Sequence, residues 1–539
     1  MNTGEGEDAF AFHEISWKWR ATTDKFEVWS YHLEHWYKIL FHLNTGNSDS
    51  AHASIQYPAK TTNSMEFNAV IFCGDGHNLV PLTSPGESRV PKALLPVANK
   101  PLIEYVLEWC DQAPFRSVNI ICTMKNEKAL GDVIRKYDAA RDTELRNSSP
   151  LKLYTSELKN TGEIMNEIFP IKEDSSNEDS YVILPCDFIT DVPPQVFIEI
   201  YRGNSDENVG LSIFYNNIFE TVDKKVLKNN YTVYSDQDNG NTVLLDMYSK
   251  DFVTIDKFLK VRTQLLWRYP STLVSTKLLD SFIFFMNHKC RKGEFNKGID
   301  TNKSVNKIKR DLARNSWKHS NSQSTIGLFA LPKNALFVRI NNLAVYMETN
   351  RQFLKEHART NNSNNNGNSN APANKAAANI GADCMIGERC DLGERTTIKR
   401  CVIGNNVKIG KKCRISASII LDGVIIEDEV HLENCIIGKN VKIELKSKLV
   451  NCNVEGSYTV GRNVNIKGET LKNLSMDELS DSGVFYEDSG DDSHDHGHGH
   501  GAESDDSEYS SDGSGSDDGY DDEGFEEFDD ADGEDFFAR

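Results

Sequence analysis

Gly74, Gly76, Lys92, Lys100 and Asp187 are the residues whose types and spacing suit phosphate chemistry. The two glycines follow a short apolar run, in Phe72-Cys73-Gly74-Asp75-Gly76-His77-Asn78-Leu79. Glycines placed after a strand let backbone N–H groups approach a phosphate, and nearby lysines supply charge. Lys92 and Lys100 stand in Pro91-Lys92-Ala93-Leu94-Leu95-Pro96-Val97-Ala98-Asn99-Lys100-Pro101. A glycine pair alone is a weak signal; with both lysine segments at this distance it is a strong one. Asp187 closes the apolar run Tyr181–Cys186.

The elements that must position these residues alternate in type. Ala69–Phe72, Val118–Cys122, Tyr181–Cys186 and Val209–Phe214 read as buried strands. Leu102–Trp109, Glu127–Tyr137 and Val192–Tyr201 have helical spacing, the last opened by Pro193 and Pro194. Such alternation predicts a mostly parallel sheet with helices on both faces over residues 67–357, with ligands beyond the carboxyl ends of its strands. Within it, residues 286–319 hold ten Lys or Arg against three acids. Val305, Ile308 and Leu312 share one helical face, which predicts a basic surface excursion with a short amphipathic helix. A solvated face accounts for this stretch more simply than nucleic-acid or acidic-tail binding.

From residue 380 to 470 the pattern changes. Ile380, Ile386, Leu392, Ile398, Ile403, Ile409, Ile415, Ile420, Ile426, Leu432, Ile437, Ile443, Leu449, Val454, Val460 and Ile466 recur every five or six positions. From Ile398 onward two steps of six and one of five make a 17-residue period. Three short strands per coil, each with one aliphatic residue inward, define a left-handed parallel β-helix of hexapeptide repeats. Cys384, Cys390, Cys401, Cys413, Cys435 and Cys452 each lie two residues before an anchor, a second inward position that wants a small apolar group. The grid explains these thiols better than a metal cluster does. The glycines directly after an anchor, such as Gly404 and Gly438, stand where a side chain would crowd a corner. Open coil ends predict an association surface.

The net charge of −21 is uneven. Residues 477–539 hold 25 acids and one base, so the other residues carry a net of +3. The tail, 471–539, has too little apolar content to fold and reads as disordered and acidic. Its aromatic residues suit docking on a basic surface and its charge suits a solubilising role; both readings stand. His494, His496, His498 and His500 form a tract fit for adventitious metal only, so no metal site is expected. Residues 358–379 are an Asn-rich linker separating the two domains. Residues 1–66 hold four of the seven tryptophans and read either as an aromatic extension or as lying before a natural start at Met65, the reading we favour. Eleven cysteines without a pairing pattern argue for a reducing compartment. No apolar run approaches the ~20 residues of a membrane span.

The segment from Gly74 to Pro101 resembles the opening of sugar-1-phosphate nucleotidyltransferases, as does the order of domains. The resemblance implies that active members hold the triphosphate with an arginine where this chain has Asn78, and Mg²⁺ with the Asp of a Gly-Asp pair where this chain has Cys186-Asp187. The sugar-lining Glu-Lys-Pro segment has no counterpart between Asp246 and Leu266. These departures predict a degenerate nucleotide-binding pocket with no catalytic residue and no cofactor. The segments Leu184–Pro194, Ser316–His319, Leu421–Val424 and Glu433–Gly438 resemble gamma-type subunits of eukaryotic translation initiation factor 2B. That resemblance implies a cytosolic, non-catalytic or regulatory role in GDP/GTP exchange on initiation factor 2, as a partner of the epsilon subunit and the other subunits. The epsilon type adds a helical exchange domain, for which nothing after Ile466 is suited. Neither membrane nor sequence-specific nucleic acid is expected as a partner. The alternative is an active mannose-1-phosphate guanylyltransferase-like enzyme. A hexapeptide acyltransferase, which needs a histidine between coils, is a third reading that His431 alone supports poorly.

Overall fold

The computed structural model describes residues 66–473 apart from 85–88, 142–148, 171–179, 205–207, 224–225, 228–229, 237–240, 288–301, 319–324 and 365–378. The expectations for residues 1–65, most of the linker, part of the basic insertion, the acidic tail and the histidine tract fall outside these residues. The N-terminal half runs β1 (Phe67–Cys73), β2 (Pro96–Val97), β3 (Lys100–Pro101), α1 (Leu102–Cys110), β4 (Ser117–Cys122), α2 (Glu127–Ala140), β5 (Leu151–Thr155) and α3 (Thr161–Ile168). It continues with β6 (Ser180–Pro185), β7 (Phe188–Thr190), α4 (Pro194–Asn204), β8 (Asn208–Asn216), β9 (Tyr231–Asp236), β10 (Thr242–Tyr248), α5 (Lys250–Asp256) and α6 (Thr263–Arg268). It closes with β11 (Thr272–Ser275), β12 (Leu278–Met286), α7 (Val305–Lys318), β13 (Thr325–Ala330), β14 (Phe337–Arg339) and α8 (Leu343–Asn364).

Ten strands form one sheet in the order β11-β9-β10-β13-β8-β12-β6-β1-β4-β5. Of the four strands read from sequence, β1, β4 and β6 pair in parallel with one another and all four are buried throughout or nearly so, as continuous apolar runs require. The expectation of a mostly parallel sheet needs correction. β12 enters antiparallel between β6 and β8, and β9, β10 and β11 extend the sheet antiparallel. Their alternating or short patterns gave no sign of which neighbour they would choose. Helix α7 is also more than a surface excursion. Val305, Ile308 and Leu312 are buried as expected, but so are Trp317 and the cation Lys309. Lys309 Nζ lies 2.5 Å from Asp280 Oδ2 and bonds Ser212, and Trp317 Nε1 donates to the Leu245 carbonyl at 2.9 Å.

Residues 379–471 form the β-helix: three stacks of two- and three-residue parallel strands, with every rung joining residue i to i+17 or i+18. The anchors from Ile398 to Val460 and five of the six grid cysteines are buried in its interior. The corners have a regularity of their own. From Arg389 to Gly468 a left-handed residue (φ of +50 to +74°) follows each anchor by three positions, or by two on the five-residue steps. The glycines after anchors answer a different need: a Cβ on Gly438 would meet backbone atoms of the next coil at 2.6–2.8 Å.

One β-helix face carries outward aliphatics, Val402, Ile419 and Ile436, each one residue before an anchor and so pointing the other way. These and Leu421 are buried in the core cluster of the N-terminal half. Asn99 Nδ2 donates to the Ile403 carbonyl at 2.9 Å, and Arg351 on α8 bonds Asn434. Burying four such side chains is worth at most roughly 6–12 kcal/mol. The two halves therefore share a core, and α8 continues to Asn364, so residues 358–364, read as the start of the linker, are helical.

Candidate functional site

The chain leaves β1 through Gly74-Asp75-Gly76 at the carboxyl edge of the sheet. Gly76 adopts φ +82°, and a Cβ there would stand 3.0 Å from Lys92 Cβ. The glycine is thus needed both for its conformation and for the close approach of the lysine segment. Thr83 Oγ1 donates to the Gly76 carbonyl at 2.7 Å, and Arg89 and Asn126 bond the Asp75 carboxylate at 2.5 and 3.2 Å. Pro91 opens the single turn Lys92–Leu94, which turns Lys92 inward until it is 2 % exposed.

Lys92 Nζ lies 2.7 Å from Asp187 Oδ2 and donates to Asn341 Oδ1 at 2.8 Å. Asp187 is fully buried just after β6. Its other partner is Arg339, whose Nε donates to Oδ1 at 3.0 Å and whose Nη2 donates to Oδ2 at 3.3 Å. Burial raises the Asp187 carboxyl, but the charges and hydrogen bonds of Arg339 and Lys92 outweigh it and hold the group below the usual carboxylate range. The Arg339 guanidinium stacks 4.1 Å over the ring of Phe282, which takes φ +60° in the bulge of β12. Phe72, Gly74, Pro185 and Cys186 complete the lining, and the cavity left is about 10 Å³, the scale of one water. Cys186 packs against Cys73. The hydrogen bond between the thiols and the nearby Lys92 lower Cys186 despite burial, while the same bond and burial raise Cys73.

Of the five residues read from sequence, Gly74, Lys92 and Asp187 line this cavity and Gly76 shapes its entry loop. Lys100 is elsewhere. Ala98 and Asn99 take positive φ in the two-residue turn between β2 and β3, which sets Lys100 opposite Val97 at the foot of α1. There it pairs with Glu108 and lies 4.4 Å from the Tyr105 ring centroid. Arg339 and Phe282 escaped the sequence reading. Arg339 reaches Asp187 because β14 pairs antiparallel with β7, setting Arg339 opposite Phe188, and no local motif announces that pairing.

Fold and site together define a nucleotidyltransferase-like α/β domain carrying a left-handed hexapeptide β-helix. Residues 68–217 match the family described as Nucleotidyl transferase, and residues 368–470 match the EIF2B subunit epsilon LbH domain. Over 230 residues the chain is 27 % identical to the translation initiation factor eIF2B subunit gamma of Schizosaccharomyces pombe, a stretch covering 42 % of this chain and 46 % of that protein. The chain is thus similar to initiation factor 2B subunits over part of its length, and its matched stretch spans about half the length of this curated relative.

Proposed function

We propose that the chain is a non-catalytic, regulatory subunit of the guanine-nucleotide exchange factor acting on initiation factor 2, working beside an epsilon-type subunit in the cytosol. The similarity to the gamma subunit carries this reading. The pocket supports its non-catalytic part. Phosphoryl chemistry needs metal and cationic stabilisation held together at the reacting phosphate. Here both oxygens of Asp187 are engaged by the buried cations Lys92 and Arg339. A divalent ion does not fit without displacing Lys92 and Arg339, so we route no step through one. Gly74, Gly76, Lys92 and Asp187 are what remains of a nucleotide site, and Lys100 has taken a structural place.

No helix among the described residues is long and apolar enough to cross a membrane. In exchange, the catalytic surface must bind the nucleotide-free GTPase more tightly than its GDP form. A second tethered contact raises effective concentration without changing that chemistry. Release of fluorescent GDP from initiation factor 2 should be near background with this chain alone, moderate with epsilon alone and fastest with both. Robust release by the isolated chain refutes the assignment. Pyrophosphate release from GTP and mannose 1-phosphate, lost in Lys92→Ala, would restore the transferase reading.

A further inference from the structure

Six large apolar side chains stand in solvent between residues 255 and 274: Ile255, Phe258, Leu266, Trp267, Leu273 and Val274. Trp267 is 79 % and Ile255 78 % exposed. They belong to α5, α6, the loop joining them and β11; β11 ends the ten-stranded sheet, and α6 packs through Leu265 with Val233 of β9 and Val243 of β10. So many exposed apolar side chains within twenty residues mark an interaction site, whereas singly scattered ones do not.

The edge itself is unprotected. β11 pairs with β9 on one side and, among the described residues, with no strand on the other. Leu273 and Val274 are successive, so they point to opposite faces, yet both are exposed. Natural edge strands carry a charge, a proline or a bulge that stops another strand from adding. Thr272-Leu273-Val274-Ser275 has none of these and pairs with β9 in unbroken register.

The charge around the patch says what kind of chain covers it. Residues 250–277 hold Lys250, Lys257, Lys260, Arg262, Arg268 and Lys277 against Asp251 and Asp256. In a two-fold pair of identical copies the same patch faces itself, setting these cations against their own kind. Like charges placed so disfavour the pairing. The fitting occupant is a different chain that offers a free strand edge, an apolar centre and an acidic rim.

We propose that the β11 edge, with Trp267 and Ile255 as anchors, is the docking surface for an acid-rimmed strand edge of the partner subunit. The identity of that partner as the epsilon subunit rests on the function proposed above. The test uses the full chain and the purified epsilon subunit in a biosensor titration, with mass photometry of the chain alone. Trp267→Ser combined with Ile255→Ser should weaken binding at least about 30-fold, the scale of interface hot spots. Val274→Lys, which charges the edge, should do likewise. Arg262→Glu with Arg268→Glu should slow association and flatten its salt dependence. Ile425→Ser, at an exposed aliphatic of the β-helix, should change nothing. All positions except Arg262 and Arg268, which are half-buried, are exposed, so unchanged thermal midpoints confirm folding. Wild-type-like binding by the Trp267/Ile255 and Val274 variants overturns the surface and leaves the subunit reading intact. Failure of the wild-type chain to bind epsilon overturns both. Self-association of the chain that Trp267→Ser abolishes makes the occupant a second copy and overturns the proposal.

Discussion

Removing the Asp187 carboxylate is the sharpest test of the pocket. In Asp187→Ala the buried cations Lys92 and Arg339 lose the group they enclose at 2.7 and 3.0 Å. Breaking a buried pair from one side costs about 3–5 kcal/mol, because an uncompensated charge stays behind. At roughly 2–4 °C per kcal/mol for a domain of this order, the melting midpoint should fall by roughly 6–20 °C. The triple variant Lys92→Met, Asp187→Leu, Arg339→Met replaces the whole cluster with apolar groups of similar bulk and should recover most of that loss. It should also keep the stimulation of GDP release, since no chemistry is assigned to these residues. The pH dependence has a definite sign. The native Asp187 carboxyl lies below its unfolded value, which is about 3.9. Its contribution is therefore complete above that value and lost as pH falls through the native one. Differential scanning fluorimetry of wild type and Asp187→Ala should show the full gap at pH 7 and convergence in strong acid. An Asp187→Ala protein that melts like wild type at pH 7 refutes the clamp, and a fully folded triple variant that has lost stimulation refutes the silent pocket.

Ile443→Asp puts an unpartnered carboxylate inside a coil and should cost several kcal/mol, with hydrogen exchange rising in adjacent coils, whereas Cys413→Ser should be much milder; equal losses contradict the inward assignment. Gly438→Ala forces a Cβ against the backbone of the next coil, and its urea midpoint should fall well below that of Gly461→Ala, where the nearest atom is 3.6 Å away. Burial pushes the Asp191 carboxyl up to about 6. Its raised value means that stability is full below the unfolded pKa and is lost as pH rises through about 6, so Asp191→Asn should melt above wild type at pH 8 and level with it at pH 4.

What was legible in the sequence followed from local pattern. The inward grid of the β-helix could be read because each anchor is fixed by residues five or six positions away, and its rungs by residues seventeen apart. Asp187 was found because it closes a continuous apolar strand, and Lys92 because its Pro-Lys segment follows a glycine pair at the end of another. Arg339 was not, because its partner lies 152 residues earlier and Phe337-Val338-Arg339 is too short to declare its pairing. Lys100 was misplaced because nothing in its motif reports the left-handed turn at Ala98-Asn99. The exposed apolar side chains of α5, α6 and β11 were not anticipated. The β11 edge is built by strands that reverse direction, and reversal leaves no periodic trace.

The shared core also sets an order of events during synthesis. Val402, Ile419, Leu421 and Ile436 complete a hydrophobic cluster whose other members, from Phe67 to Leu354, are all translated earlier. At about 5–20 residues per second, the chain between Asn364 and Ile436 takes roughly 4–14 s to make. For that interval the nascent N-terminal half presents an apolar face whose natural cover does not yet exist. A ribosome that stalls between the two halves releases a product with that face bare, a substrate for chaperones and proteases rather than a small, independent domain.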